Sequence, residues 1–310
     1  MPAFVEHDTL SIACPDVHRE ATMRMTFQRT LRVPDDGTDY NLPPGLGSFP
    51  LRQNDSADGA LLPMWQSEAC WIDFSGNYPF LVTVAAGSIN VVTGSPWSAK
   101  PNFEKEDYFE VPEQPWLDGF NVGEGTVRQF VAMPLGSGYT VEEQLSTEPA
   151  IGGIRIAAYP LKATVWDARP PSPPLPDFIV CAAPASDMGL GGGGSIRQTI
   201  ASPLRQHDDW DLEHGVEFTV DIANSDQWQH STGEAPPTMP PSAADYTRAG
   251  LPWFLWYNDF AGARGGSAEL ANTKSVKDLG TAHGTEPLSE NESFDEPMPT
   301  VLGGHYTPKG

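Results

Sequence analysis

The chain has 310 residues, enough for one large domain or two smaller ones with a real core. Lys and Arg number 18 against 41 Asp and Glu, a formal net charge of -23, and so negative a surface repels phosphate backbones and anionic lipid; no nucleic acid and no membrane surface is expected as a partner. With 30 Gly, 31 Pro and 39% hydrophobic residues, the composition disfavours long helices and suits many short strands joined by tight turns.

Residues 1–22 lack the basic and apolar regions of a signal peptide and read as an N-terminal extension. Residues 23–33 then alternate. Met23, Met25, Phe27, Leu31 and Val33 share one face, with Arg29 out of step, and Arg24, Thr26, Gln28, Thr30 and Arg32 share the other. Period two with one wet face predicts an antiparallel strand. Pro-Asp-Asp-Gly at 34–37 ends it, and the proline-rich stretch 41–50 crosses to the next element. Further strands are predicted at 69–74, 80–92, 127–133, 138–145, 151–159 and 161–166. Residues 127–145 read as a hairpin turning at Gly136-Ser137-Gly138. The apolar run 80–92 is interrupted by Thr, Gly, Ser and Asn and is too short to span a membrane.

The segment 168–177 is a stiff proline-rich connector. Strands are predicted at 178–183 and 216–224, the latter with Val216, Phe218, Val220 and Ile222 inward. A short helix at 242–250 has Ser242 as its cap, and a second at about 268–278 stops at Gly280. The remaining tail is acidic, rich in Gly and Pro, and without periodicity. It reads as an extended or disordered arm carrying isolated apolar anchors such as Phe294 and Val301. The domain reading is one β-rich domain over 23–260, then a short helix and tail over 261–310. Cys14, Cys70 and Cys181 are odd in number and far apart, so a reduced, cytoplasmic setting is expected.

Three constellations could carry chemistry. Gly189, Gly191 and Gly194 spell G-x-G-x-x-G, and Glu213 lies 19 positions beyond Gly194, as a dinucleotide site requires. The helix that must follow is missing: Ile196, Thr199 and Ile200 are β-branched and Pro203 stands where its middle would be. The stretch is read as a glycine-rich hairpin or crossing loop, and no cofactor is expected. His207, Asp209, Asp211 and His214 are the densest potential metal ligands, weighed against a solvated acidic loop. Trp65, Glu68, Trp71, Asp73, Trp116, Asp118 and Glu124 bring carboxylates and indoles into neighbouring stretches, the composition of a sugar site, weighed against aromatic core packing.

The phrases "PMWQSEACWI" (63–72), "QPWLDGFNVGEGTVRQ" (114–129), "QFVAMPLGSGYTVEEQL" (129–145) and "AGLPWFLWYND" (249–259) resemble a widespread family of uncharacterised microbial proteins. The resemblance covers most of 23–260 and implies no activity, cofactor or catalytic residue. The fold expected is mainly β: an antiparallel, sandwich-like core with two or three short helices and an extended C-terminal arm. The function expected is that of a non-catalytic structural protein, homo-oligomeric through its proline-rich segments and arm. A carbohydrate-binding or carbohydrate-cleaving protein and a metal-dependent enzyme at 207–214 are the alternatives.

Overall fold

The structure, a computed structural model, describes residues 2–54, 59–169, 188–233, 240, 254–257, 264–284, 292–294 and 300–303. The expected strand at 178–183, the helix at 242–250 and all but the first two residues of the connector lie outside these.

The chain opens with a hairpin of β1 (Ala3–Glu6) and β2 (Thr9–Ala13). Its two-residue turn, His7-Asp8, has φ of 48° and 60°, the left-handed pair that matches the twist of adjoining strands. β2 pairs with β3 (Thr22–Thr30), so residues 3–13 are strands of the main sheet and not an extension beside it. There follow β4 (Asp39–Tyr40), β5 (Arg52–Gln53), β6 (Gly59–Pro63), β7 (Ala69–Ser75) and β8 (Phe80–Ala86). The apolar run 80–92 is not one strand: Gly87, at φ 57°, turns the chain into β9 (Ile89–Asn90). Next come β10 (Phe109–Val111), β11 (Trp116–Leu117), β12 (Gly119–Gly123) and β13 (Thr126–Pro134).

The predicted strand at 138–145 is instead a helix, α1 (Val141–Leu145). Thr140 Oγ1 accepts the Glu143 N–H, and the Glu143 carboxylate accepts the Thr140 N–H in return. The same carboxylate accepts the N–H groups of Gly136 and Gly138, so the Gly-Ser-Gly turn folds onto the helix that follows it. The alternation of Tyr139, Val141 and Leu145 loses to this local cap. After β14 (Ile154–Pro160), the predicted strand at 161–166 is likewise a helix, α2 (Ala163–Asp167), burying Trp166.

The glycine-rich stretch is a strand, β15 (Met188–Arg197), and not a loop. It pairs with β13 along most of its length, and Met188 pairs with β16 (Val216–Ala223). β16 keeps the predicted alternation, with Val216, Phe218, Val220 and Ile222 buried. The glycines answer a packing demand. A Cβ on Gly191 would lie 2.8 Å from Val276 Cγ2 and 3.0 Å from the Tyr139 carbonyl oxygen; one on Gly194 would lie 2.3 Å from the Pro34 carbonyl oxygen. Neighbouring backbone and side chains approach the strand too closely for any side chain there.

The remaining described elements are α3 (Ser225–Thr232), β17 (Phe254–Tyr257), α4 (Ala268–Ala271), α5 (Val276–Ala282) and β18 (Thr300–Gly303). The single helix predicted at 268–278 is thus two, α4 and α5, each with a serine cap, and Gly280 lies buried inside the second instead of ending it.

The fold is mainly antiparallel β. Its hydrogen-bonded path runs β1-β2-β3-β7-β13-β15-β16-β14-β8-β10, with β4 and β6 added in parallel to β15 and β16. The sheet turns back on itself. Phe74 of β7 meets Phe109 of β10 with ring centroids 5.2 Å apart, although six places separate their strands in the path. One core cluster gathers buried residues from Ala3 to Leu270. Phe120 and Phe130 pack edge to face within it at 4.9 Å. Burial of each such ring contributes roughly 1.5–3 kcal/mol.

Candidate functional site

β7 carries two of the residues that the sequence singles out, Trp71 and Asp73. Cys70, Ile72 and Phe74 point into the core, while Trp71 and Asp73 alternate onto the other face and are half-buried. Asp73 stands opposite Thr26 of β3 and Trp116 of β11, and Trp71 opposite Gln28. Trp71, Asp73 and Trp116 therefore share one face with two polar residues of β3. Of the expected wet face only Arg24 is exposed: Thr26, Gln28 and Thr30 of β3, and Arg32 beyond it, are buried. The proline-rich segment 41–50 covers part of it, with the Thr30 hydroxyl donating to the Pro43 carbonyl and Gly45 lying against Gln28 and Trp71.

Burial, opposed only by the Thr26 hydroxyl, pushes the Asp73 carboxyl up to about 7. Asp118, two residues beyond Trp116, is wholly enclosed, and burial raises it well above the usual carboxylate range. Glycoside cleavage pairs a neutral carboxyl with an ionised one. Asp73 and Asp118 are both pushed toward the neutral form, so they do not divide those roles. Nor do the indoles line an open cleft: Trp71 and Trp116 pack edge to face on each other at 6.5 Å, and Trp116 is 9% exposed.

The other predicted members lie apart. Glu68 sits with Cys70 and Arg29 on the core side, 3.5 Å from the Arg29 guanidinium, and accepts the Trp65 N–H at 3.0 Å. Burial pushes it up to about 7, against the pull of Trp65 and Arg29. Trp65 is half-buried beside it, and Glu124 is exposed in the turn between β12 and β13. Sequence reasoning missed the polar groups that hold this region together. Gln198 and Gln114 bridge residues 80 and 87 positions away, a separation at which no spacing signal exists.

Residues 207–214 have local roles. His207–Asp209 is one 3-10 turn, in which the Asp209 carboxylate accepts the Gln206 N–H at 2.9 Å. The His207 ring lies 4.0 Å from that of Phe103. Asp211 accepts the N–H groups of Glu213 and His214 and faces His214 Nδ1 at 3.1 Å, which raises the imidazole above its usual value. His207 and Asp211 line one rim of a cleft of about 570 Å³ with Asp16, Lys162, Thr164 and Glu213. His214 is not among its lining residues. Among the described residues no group of three or more His, Cys, Asp or Glu is placed to hold a metal ion.

Comparison with family models, with curated proteins and with solved structures returned no match. Among the described residues no helix is long and apolar enough to cross a membrane.

Proposed function

We propose that the protein is a non-catalytic, self-associating structural protein whose C-terminal arm makes the contacts between copies. The observation behind this reading is how lightly the arm is anchored to its own copy. The Ser293 hydroxyl hydrogen-bonds the Asp36 carboxylate, and the Phe294 ring lies 5.3 Å from that of Tyr40, against the main core. Further along, β18 pairs in parallel with β17 in a two-stranded sheet separate from the large one. Each anchor is small, and a two-stranded sheet is marginal by itself in water. An extended segment held by one aromatic anchor and one strand uses the means by which peptides dock on other surfaces. The buried free thiols of Cys14 and Cys70 suit a reducing interior, and we assign the protein to the cytoplasm on that ground.

Light scattering of the full chain and of a chain lacking 285–310 tests the reading. The full chain should exceed the 33.6 kDa of one copy, and the truncated one should return to the mass of a single copy. A full chain of single-copy mass at every concentration would overturn it. The carbohydrate reading keeps one favourable observation, the shared face of Trp71, Asp73 and Trp116. Titration with neutral oligosaccharides, wild type against Trp71→Ala, decides it: heat lost in the variant supports binding there, and no heat with the wild type ends it.

A further inference from the structure

Asp118 sits where β7 changes neighbours. β11 pairs with Ile72 and Asp73 of that strand, and β13 with Ala69 and Cys70. The side chain is 0% exposed. The Trp116 indole and the Gln198 amide are the polar groups turned toward it, and neither carboxyl oxygen makes a hydrogen bond of ordinary geometry among the described residues. Charged groups on the surrounding elements are engaged elsewhere. Asp73 faces Thr26, Arg29 pairs with Glu68, Arg128 donates to Thr273, and Arg197 donates to Asn41 and the Asp39 carbonyl. An ionised carboxylate enclosed without a cation costs several kcal/mol, so a carboxyl in this place keeps its proton.

Two glutamines tie the surrounding segments together. Gln198 accepts the Asp118 N–H at 2.9 Å and donates to the Trp116 carbonyl at 3.3 Å. Gln114 donates to the same carbonyl at 2.9 Å and accepts the Ala201 N–H at 2.9 Å. Three of these four bonds fasten residues 114–118 to residues 198–201, which follow the end of β15, and the Gln114–Trp116 bond braces the first segment internally.

We propose that Asp118 is a proton-dependent latch. With its proton it lets both glutamine clips close; without it the carboxylate draws water inward and releases 114–118 and 198–201 together. The sign follows from burial, which raises the carboxyl in the folded state above its ordinary value of 3.8. The folded chain keeps a proton that the unfolded chain has lost, so the latch is firmest at low pH and weakens as pH rises.

Hydrogen exchange of the full chain between about pH 5 and 8, corrected for intrinsic rates, tests this. Protection over 114–123 and 196–201 should fall by about tenfold or more across that range beyond any fall in β8. In Asp118→Asn the fall over these segments should be no larger than that of β8. Protection that is flat with pH in the wild type, or that falls equally in Asp118→Asn, overturns the latch. Should that variant fail to fold, Asp73→Asn decides: a loss of protection that persists supports Asp118, and one that vanishes transfers the effect to Asp73 and overturns the proposal.

Discussion

Asp73 lies between Thr26 and Trp116 on adjoining strands, with one hydroxyl to oppose its burial. Its folded value of about 7 exceeds the ordinary 3.8, so between those values the folded state holds a proton that the unfolded state releases. The stability this confers is complete below 3.8, is lost as pH rises to about 7, and is constant above. One proton gives a slope of at most about 1.4 kcal/mol per pH unit. Asp73→Asn should therefore reduce the pH dependence of the urea midpoint in that window. Glu68 acts with the same sign from 4.5 to about 7, so the slope should shrink and not vanish. A variant with an unchanged slope would show that Asp73 is ionised in the folded protein. Gly191 poses a steric question instead. Gly191→Ala places a methyl 2.8 Å from Val276 Cγ2 and should cost about 1–3 kcal/mol in thermal unfolding. Gly265→Ala, where no atom lies within 4 Å, is the control and should cost nothing. Equal melting of the two variants would refute close packing on β15.

α1 is five residues long, too short to be stable alone; Glu142 fastens it to the sheet and Glu143 closes its cap. Glu142 is 2% exposed and accepts the N–H groups of Ser88, Ile151 and Gly152, joining the β8–β9 turn to the entry of β14. Glu143 accepts those of Gly136, Gly138 and Thr140 where water can replace it. An orphaned buried donor costs about 1–3 kcal/mol, and an exposed one much less. Glu142→Ala should therefore destabilise by roughly 3 kcal/mol or more and Glu143→Ala by roughly 1 kcal/mol. Denaturant titration gives the ranking, and the reverse order would place the weight of α1 in its cap instead of in its contact with the sheet.

The chain carries a net charge of -23, so its surface carboxylates repel one another. Salt shortens the reach of that repulsion from about 30 Å at 0.01 M to about 8 Å at 0.15 M. Relief of about 1 kcal/mol would raise the melting temperature by roughly 2–4 °C in a chain of this size, and calorimetry in sodium chloride measures it. A melting temperature that falls with salt would mean that attractive ion pairs, such as Arg205 with Glu110 and Glu113, outweigh the repulsion. The same screening should favour association through the acidic arm, so the light-scattering comparison belongs at both salt concentrations.

The strands β3 and β16 could be read directly, because their period-two alternation is set by neighbouring residues. So could the failure of the glycine fingerprint, since β-branched residues and Pro203 forbid the helix it needs. Other features depended on partners far along the chain. Most of the polar face of β3 is buried because residues 43–48 lie against it. Gly189 to Gly194 form a strand because α1, α5 and Pro34 press against it. Asp118 turned out to be an enclosed carboxyl whose backbone N–H is held by Gln198 from 80 positions away, where the sequence offered it as a sugar-site acid. Local pattern fixes which way a side chain points; only the packed fold decides whether water, backbone or another side chain waits there.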